Sequence, residues 1–308
     1  MSDTLQDPNQ EPRGEPWQWQ EKIWREMVER SRAGRSLAPS RWPNGARCAV
    51  ALGFEADHET TALRDDDDGP TRLSQGHYGA RRGMPRIRAA LEREGVNATF
   101  FYPAVAALLH EDEVRAVAAD GHELAIHSWI HERNTQLPYE AERDLSFRAM
   151  ELLDHLGGRP PVGMRAASWD FSVNTLIIMQ ELGLLYDSSL MADDDPYELE
   201  SDGEPTGIVE LPPEWIRDDS VYFNMQRFSA LRPQMAPSAV EDIFRAEFDG
   251  AWNENGLFLL TLHPHLIGHR SRIGVLERLI RHMKAKGSVW FATHEEIALW
   301  CKSEAEPA

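Results

Sequence analysis

The alternation of short apolar runs with helical patterns is the feature that most constrains the fold of this 308-residue chain. Strands that alternate with helices build a parallel sheet with helices outside it, and this number of units favours closure into a barrel. Apolar runs predict buried strands at residues 48–54, 98–102, 123–127, 162–165, 208–211, 257–262 and 288–292. Helical patterns occupy residues 84–93, 112–119, 140–156, 173–182, 239–252, 272–286 and 295–302.

The alternating pattern spans residues 41–302 without an internal repeat, so we predict one barrel domain there. Residues 16–40 are predicted to form a helical arm, because apolar residues recur at helical spacing from Trp17 to Val28. Residues 1–15 are rich in acidic residues, Gln and Pro, which predicts a disordered tail, and residues 303–308 form a second tail. Residues 59–82 and 191–237 are predicted to be long irregular segments that build a substrate pocket.

The charge of the chain limits its partners. Acidic residues number 51 against 32 basic ones, which gives a formal net charge of −19. We therefore expect neither a nucleic-acid nor a membrane partner. The N-terminal residues lack the features of a signal peptide, and no apolar run approaches the ~20 residues of a membrane helix, so we expect a cytoplasmic protein. The two cysteines, Cys48 and Cys301, are expected to be reduced thiols.

Polar residues with catalytic chemistry fall where the predicted strands end. Glu55 and Asp57 follow the first strand, His127 ends the third, Arg165 ends the fourth, and His263 follows the strand at 257–262. Because the carboxyl ends of barrel strands meet at one mouth, where active sites lie, we expect these five residues to converge.

The spacing of the histidines indicates a metal site within this group. His127 and His131 lie four residues apart, and with Asp57 they supply two imidazoles and a carboxylate. Such a set leaves positions for water around a catalytic divalent ion, so we predict that Asp57, His127 and His131 are its ligands. His58, beside Asp57, is the best substitute ligand.

The remaining strand-end residues fit the other catalytic roles. Glu55 is predicted to take a proton from water, Arg165 to orient Glu55, and His263 to protonate the leaving group. Three aromatic residues are predicted to wall the substrate pocket: Tyr78, Trp169 and Trp215. The sequence has no Gly-x-Ser-x-Gly motif and no glycine-rich phosphate loop, which disfavours a serine hydrolase or a nucleotide-binding enzyme.

These residues, in this order, resemble the polysaccharide deacetylase (NodB-homology, carbohydrate esterase family four) superfamily over about residues 41–302. His127-Ser128-Trp129-Ile130-His131 matches the paired-histidine motif of the family, and Asp57 matches its metal aspartate. The resemblance implies a distorted (β/α) barrel of about seven parallel strands, here with an extra N-terminal helix, and one zinc or similar ion. It also implies the base, arginine and acid roles for Glu55, Arg165 and His263.

The first motif departs from the family pattern, which usually has two adjacent aspartates; here Ala56 separates Glu55 from Asp57. The proline that commonly follows the family's arginine is also absent after Arg165. The split motif and residues 186–191, 210–212 and 262–264 are similar to an intracellular branch with peptidoglycan-deacetylase-like proteins and cyclic imide hydrolases. That branch implies a homo-oligomer.

The resemblance implies a metal-dependent hydrolase of non-peptide carbon–nitrogen bonds, with Zn²⁺ as the expected ion. Deacetylation of an N-acetyl sugar is the first expectation. Hydrolysis of a small cyclic imide or amide is the alternative, which the expected cytoplasmic location, the altered first motif and the long covering segments favour. A catalytically inactive metal-binding interaction protein is a second alternative, because Glu55 replaces an aspartate.

Overall fold

The structure, a computed structural model, describes residues 14–225 and 234–305. Most of the predicted N-terminal tail and residues 306–308 therefore lie outside the described residues. The strands in these ranges are β1 (Arg32–Ser36), β2 (Cys48–Glu55), β3 (Thr99–Tyr102), β4 (Glu123–Ile126), β5 (Gly163–Met164), β6 (Tyr186–Asp187), β7 (Tyr197–Ser201), β8 (Glu204–Glu210), β9 (Leu257–Leu262) and β10 (Val289–Ala292).

The helices surround and follow these strands. They are α1 (Glu21–Glu29), α2 (Thr60–Leu63), α3 (Pro70–Tyr78), α4 (Met84–Glu94), α5 (Ala104–Leu109), α6 (Glu111–Ala119), α7 (Tyr139–Gly157), α8 (Thr175–Leu182), α9 (Asp219–Phe223), α10 (Pro237–Glu254), α11 (Pro264–Ile267), α12 (Ile273–Lys286) and α13 (His294–Ala305). None of the described helices is both long enough and apolar enough to span a membrane.

The strands form one mainly parallel sheet in the order β1-β7-β8-β6-β5-β4-β3-β2, and both β9 and β10 also pair with β2. β9 runs along one edge of β2, while β10 and β3 share the other edge, β10 beside residues 48–51 and β3 beside residues 53–55. The mixed α/β class and the mainly parallel sheet are thus confirmed. Closure into a complete barrel stays a prediction, because the pairings run from β1 to β9 without joining these two strands.

The two faces of the sheet have different neighbours. Because side chains alternate along a strand, Val50, Leu52 and Phe54 of β2 point to one face and pack with the surrounding helices. Ala49 and Ala51 point to the opposite face, which we call the inner face, and they pack with α13. The same alternation places Glu55, the last residue of β2, on the inner face at the carboxyl end of the strand.

Residues 191–237 differ from the predicted irregular segment, because they contain a β-hairpin. β7 and β8 are antiparallel, Ser201 pairs with Glu204, and the loop between them is Asp202-Gly203. Both loop residues have positive φ, 51° and 83°, as a two-residue hairpin turn requires. This Asp-Gly pair was the missed signal. β1 then adds to β7 as an antiparallel edge strand, so the N-terminal arm contains a strand as well as the expected helix.

Residues 59–82 also differ from prediction, because they are mainly helical. α2 and α3 cover much of the segment, and a single π-helical turn, Gly79–Gly83, joins α3 to α4. The glycines allow close packing of backbones. A Cβ atom at Gly76 would lie 2.1 Å from the carbonyl oxygen of His58, and one at Gly83 would lie 2.1 Å from that of Pro264. Contacts with residues distant in sequence therefore require these glycines.

Candidate active site

The structure brings together the five polar residues predicted to converge at the strand ends and the predicted metal ligand His131. Their side chains lie at the carboxyl end of the inner face, beneath the loops that follow β2, β4, β5 and β9, and none is more than 6% exposed. They are Glu55, Asp57, His127, His131, Arg165 and His263. Such burial of ionisable groups is costly unless each is paired or binds a cation.

Asp57, His127 and His131 form what we call the metal cluster. Asp57 Oδ1 lies 3.5 Å from His127 Nε2, and Asp57 Oδ2 lies 3.5 Å from His131 Nε2. His127 Nδ1 lies 2.8 Å from the carbonyl oxygen of Arg165, to which it donates, and this fixes the ring with Nε2 toward Asp57. Two buried atoms, Asp57 Oδ1 and His127 Nε2, have no hydrogen-bond partner within the described part of the chain.

The protonation states of the metal cluster fit a divalent cation. Burial lowers the pKa of His127 to about 4 and holds the pKa of His131 well below its usual range, so both imidazoles are neutral. Burial also raises the pKa of Asp57 to about 8, against the opposing charge of His263. A carboxyl group with an unpaired oxygen, beside two neutral imidazoles of which His127 has an unpaired Nε2, has the donor set of a zinc-type site.

Glu55 is held by three donors. Its Oε1 accepts from Arg165 Nη1 at 3.1 Å and from Trp169 Nε1 at 3.0 Å, and its Oε2 lies 3.1 Å from His263 Nε2. Burial opposes ionisation, but the neighbouring histidines and the Arg165 guanidinium hold the pKa of Glu55 well below its usual range. The side chain is therefore an oriented carboxylate. The hydrogen bond from Trp169 was not foreseen from the sequence.

His263 faces Glu55 on one side and two aspartates on the other. Its Nδ1 lies 2.8 Å from Asp219 Oδ1 and 3.6 Å from Asp218 Oδ1. Burial lowers its pKa, but Asp218, Asp219 and Glu55 outweigh burial and raise the pKa well above the usual value. Sequence reasoning missed both aspartates, although an adjacent acidic pair inside the long segment before α10 was a visible signal.

Within the described residues, two further groups of potential metal ligands contain His263: one consists of His263 with Glu55 and Asp57, and so shares Asp57 with the metal cluster, and the other consists of His263 with Asp218 and Asp219. The hydrogen bond to Asp219 and the raised pKa keep this imidazole protonated, and a protonated imidazole cannot bind a metal. The metal cluster is therefore the group whose chemistry fits an ion best.

The three predicted pocket aromatics divide into two sets. Trp169 is 7% exposed, and its ring stacks on that of Trp215 with centroids 4.0 Å apart, while Trp215 itself is 44% exposed. Ser168 and Trp169 both have positive φ, 56° and 54°, a strained backbone often found at functional sites. Tyr78 is half-buried and stacks on His269, with centroids 4.4 Å apart. Its predicted contact with substrate stays a prediction.

Two other histidines, His58 and His265, lie near the site. His58, the substitute ligand, lies with Nε2 2.8 Å from Glu113 Oε1, so that nitrogen is already engaged. The pKa of His265 is lowered to about 3 by burial and by the charge of His263. Arg64, which the sequence did not single out, contacts the ring of His131 and the hydroxyl of Ser168.

Comparison with known proteins identifies the family of the chain. A family model for polysaccharide deacetylases matches residues 66–186. A Mycobacterium smegmatis structure assigned to the polysaccharide deacetylases is 34% identical, with a TM-score of 0.82, and the match covers 88% of this chain and 95% of that one. The chain belongs to the polysaccharide deacetylase family.

Two further matches are more distant. The peptidoglycan deacetylase of Helicobacter pylori is 25% identical over 279 residues, which cover 81% of this chain and 94% of that protein. The structure of Puue allantoinase is 24% identical, with a TM-score of 0.77 and coverage of 89% of this chain and 95% of that one, and it shares the fold. The family supports hydrolysis of a carbon–nitrogen bond, because deacetylation of an amino sugar is such a reaction.

Proposed function

We propose that the protein is a metal-dependent hydrolase that opens a carbon–nitrogen bond in a small cyclic amide or imide. The observation that carries the proposal is the burial of a carboxylate–histidine site beneath a tryptophan stack. Glu55, Asp57 and His263 are 3%, 2% and 6% exposed, and Trp169 lies directly against Glu55.

The metal cluster would hold the divalent ion, for which Zn²⁺ is the expected identity. Its partnerless ligand atoms and its neutral imidazoles support this assignment. When bound, such an ion supplies Lewis acidity, which polarises a carbonyl group and makes a water molecule easier to deprotonate.

Glu55 is proposed as the base that takes the proton from water. Its carboxylate is ionised and cannot rotate freely, because Arg165 and Trp169 both donate to Oε1. The remaining oxygen, Oε2, faces His263 and the metal cluster: Oε2 lies 3.5 Å from His127 Nε2. Glutamate in place of the usual aspartate thus still reaches the cluster.

His263 is proposed as the acid that protonates the leaving nitrogen. A general acid must carry its proton before the bond breaks, and Asp219 with Asp218 keeps this imidazole charged. The base and the acid are also in contact, at 3.1 Å. Two adjacent groups whose pKa values are driven apart by their surroundings are a pattern of acid–base sites.

Burial favours a small substrate over a polymer. A polysaccharide chain needs an open groove along which several sugars can lie, whereas these six polar side chains are covered. The exposed face of Trp215 offers a flat surface beside the site, which suits a planar ring. The cytoplasmic location expected from the sequence forms part of this proposal.

Deacetylation of an N-acetyl amino sugar is the second candidate. It is supported by the family and by two curated relatives named for peptidoglycan deacetylation. The third candidate, an inactive metal-binding interaction protein, is opposed by the presence of every side chain that the chemistry needs.

A substrate screen separates these candidates. The zinc-loaded protein should hydrolyse at least one of succinimide, hydantoin and allantoin, and it should release no acetate from N-acetylglucosamine oligomers. His263→Ala should keep stoichiometric metal and lower kcat by about 10²–10⁴-fold, as loss of a general acid does. Acetate release without ring opening would establish the second candidate. Full activity in His263→Ala would remove the proposed acid.

A further inference from the structure

Arg165 is fully buried, and each of its five N–H donors faces an acceptor. Nε donates to the carbonyl oxygen of Ser188 at 2.7 Å, and Nη2 donates to the hydroxyl of the same residue at 2.6 Å. Nη1 donates to Glu55 and, at 3.0 Å, to Thr261 Oγ1. The fifth N–H, on Nη2, faces His294 Nε2 at 3.5 Å. His294, the first residue of α13, therefore completes the set.

The hydrogen bonds around His294 have one consistent direction. Thr99 Oγ1 has a single proton, which it donates to Glu123 Oε2 at 2.7 Å. It can therefore only accept from His294, whose backbone N–H and Nδ1 both lie 2.9 Å away. The proton of the neutral imidazole is thus on Nδ1, which leaves Nε2 as the acceptor that Arg165 needs.

The hydrogen bonds from His294 through Thr99 lead to Glu123, which lies at the amino end of the inner face. Its carboxyl group also accepts from the Tyr186 hydroxyl at 2.8 Å and from the backbone N–H of Glu295 at 3.0 Å. The backbone of α13 is thereby fixed beside the sheet. Burial and the nearby Arg165 keep the pKa of His294 well below its usual range, so its ring is neutral as this arrangement requires.

We infer that His294 is a positioning residue for the catalytic base, held by Thr99 and Glu123 in the one tautomer that can accept a hydrogen bond from Arg165. The contacts run from Glu123 through Thr99 and His294 to Arg165, and from Arg165 to Glu55. We call Thr99, Glu123, Tyr186 and His294 the relay cluster. The inference rests on the proposed role of Glu55, since a fixed Arg165 matters to the reaction only if Glu55 takes part in it.

Two substitutions of His294 test the inference by kinetics. His294→Phe keeps a ring of similar shape but removes both nitrogens, so Arg165 loses one partner and Glu55 its fixed orientation. We expect kcat to fall by about 100-fold, as for a misplaced catalytic group, while KM changes by less than about 2-fold and zinc stays stoichiometric. His294→Gln, whose amide oxygen can accept from Arg165, should restore kcat to within about 5-fold of the original protein.

The matched control is His122→Phe. His122 is also buried and packs on a ring, that of Phe100 at 5.2 Å, but it lies outside the relay cluster. The kcat of His122→Phe should equal that of the original protein. An unchanged kcat in His294→Phe, or an equal loss in the phenylalanine and glutamine variants, would overturn the inference. If His294→Phe does not fold, Thr99→Val and Thr99→Ser carry the same comparison, with loss expected in the first and recovery in the second.

A spectroscopic measurement tests the arrangement without any substrate. In zinc-loaded protein with ¹⁵N-labelled histidine, the signals that disappear in His294→Gln belong to His294. They should report the Nδ1–H tautomer, and Thr99→Val should shift them toward the Nε2–H form. An Nε2–H tautomer in the original protein contradicts the relay. If the tautomer is as expected but no ring substrate or amino sugar is hydrolysed, the proposed function fails and the relay geometry stands.

Discussion

The metal cluster and the relay cluster lie on the same inner face and are equally buried, yet they differ in how their polar atoms are paired. In the relay cluster, His294 donates a hydrogen bond to Thr99, and Thr99 donates one to Glu123. In the metal cluster, Asp57 Oδ1 and His127 Nε2 have no partner among the described residues. The polar atoms of the relay cluster are thus paired within the protein, whereas the metal cluster has unpaired atoms that can bind an ion.

The two clusters therefore differ in what their burial costs the folded state. A buried polar group stabilises a fold only when its hydrogen bonds are made, and an unpaired one costs free energy. The metal cluster bears that cost at the carboxyl ends of the strands, where an ion can offset it. The relay cluster lies toward the amino ends and fixes Arg165 without needing any ligand.

The largest effect that would sharpen this comparison is expected from Asp57→Asn. The change keeps the shape of the side chain but removes the charged ligand, so metal affinity should collapse and kcat/KM should fall by about 10³-fold or more, since the ion supplies several kcal/mol to the transition state. The metal-free variant should nevertheless be at least as stable as the metal-free original, because a buried carboxylate without a partner has been removed. Metal analysis, kinetics and urea unfolding measure these three quantities.

Asp66→Asn is the matched control, because Asp66 is exposed in the acidic stretch after α2. It should leave metal content, activity and stability unchanged. A stoichiometric ion in Asp57→Asn, or a clear loss of stability of the metal-free variant, would show that the metal cluster is a structural network like the relay cluster.

The sequence predicted the metal cluster because its signal is local. His127 and His131 follow one apolar strand, Asp57 follows another, and parallel strands bring their carboxyl ends together whatever the details of packing. The strands carry equally strong local patterns, and the predicted range 257–262 coincides with β9.

The relay cluster could not be predicted in the same way. Thr99, Glu123 and His294 are single polar residues at separate elements, and their meeting depends on the register of β3 with β4 and on how α13 enters the sheet. The aspartates beside His263 depend similarly on where the segment before α10 folds back. Contacts distant in sequence also hold the helices of residues 59–82, which were predicted to be irregular.

An intermediate effect is expected from Tyr186→Phe in the relay cluster. The Tyr186 hydroxyl is fully buried and donates to Glu123 Oε1, so its removal leaves a carboxyl oxygen without that donor. The free energy of unfolding should fall by about 1–3 kcal/mol. Tyr139→Phe is the control, since the Tyr139 hydroxyl meets Glu181 at the surface, and it should change stability by less than about 0.5 kcal/mol. Equal losses of unfolding free energy in the two variants would mean that the buried Tyr186–Glu123 hydrogen bond contributes no more to stability than the exposed Tyr139–Glu181 one.

The smallest expected effect is a slope of stability with pH in metal-free protein. Burial raises the pKa of Asp57 from 3.8 to about 8 and that of Glu123 from 4.5 to about 7, so the folded state holds protons that the unfolded state has released. The stabilisation from these two carboxyl groups is full below the unfolded pKa values and is lost as pH rises toward the folded ones, so their contribution to the free energy of unfolding should decrease from about pH 5 to 8.

Asp57 should account for most of the upper part of this slope, at up to about 1.4 kcal/mol per pH unit for one linked proton. The free energy of unfolding, measured in urea with chelator at about pH 6.5 and 7.5, should therefore fall by more in the original protein than in Asp57→Asn, where Glu123 still titrates. Glu55, whose pKa is lowered, affects stability only at lower pH. The buried histidines with lowered pKa values, such as His127 and His131, oppose the trend mainly below about pH 6.5, in the original protein and in the variant. Bound zinc takes the place of the proton on Asp57, so zinc-loaded protein should have the shallower slope as well. Identical slopes in the original protein and in Asp57→Asn would mean that the pKa of Asp57 is not raised by folding.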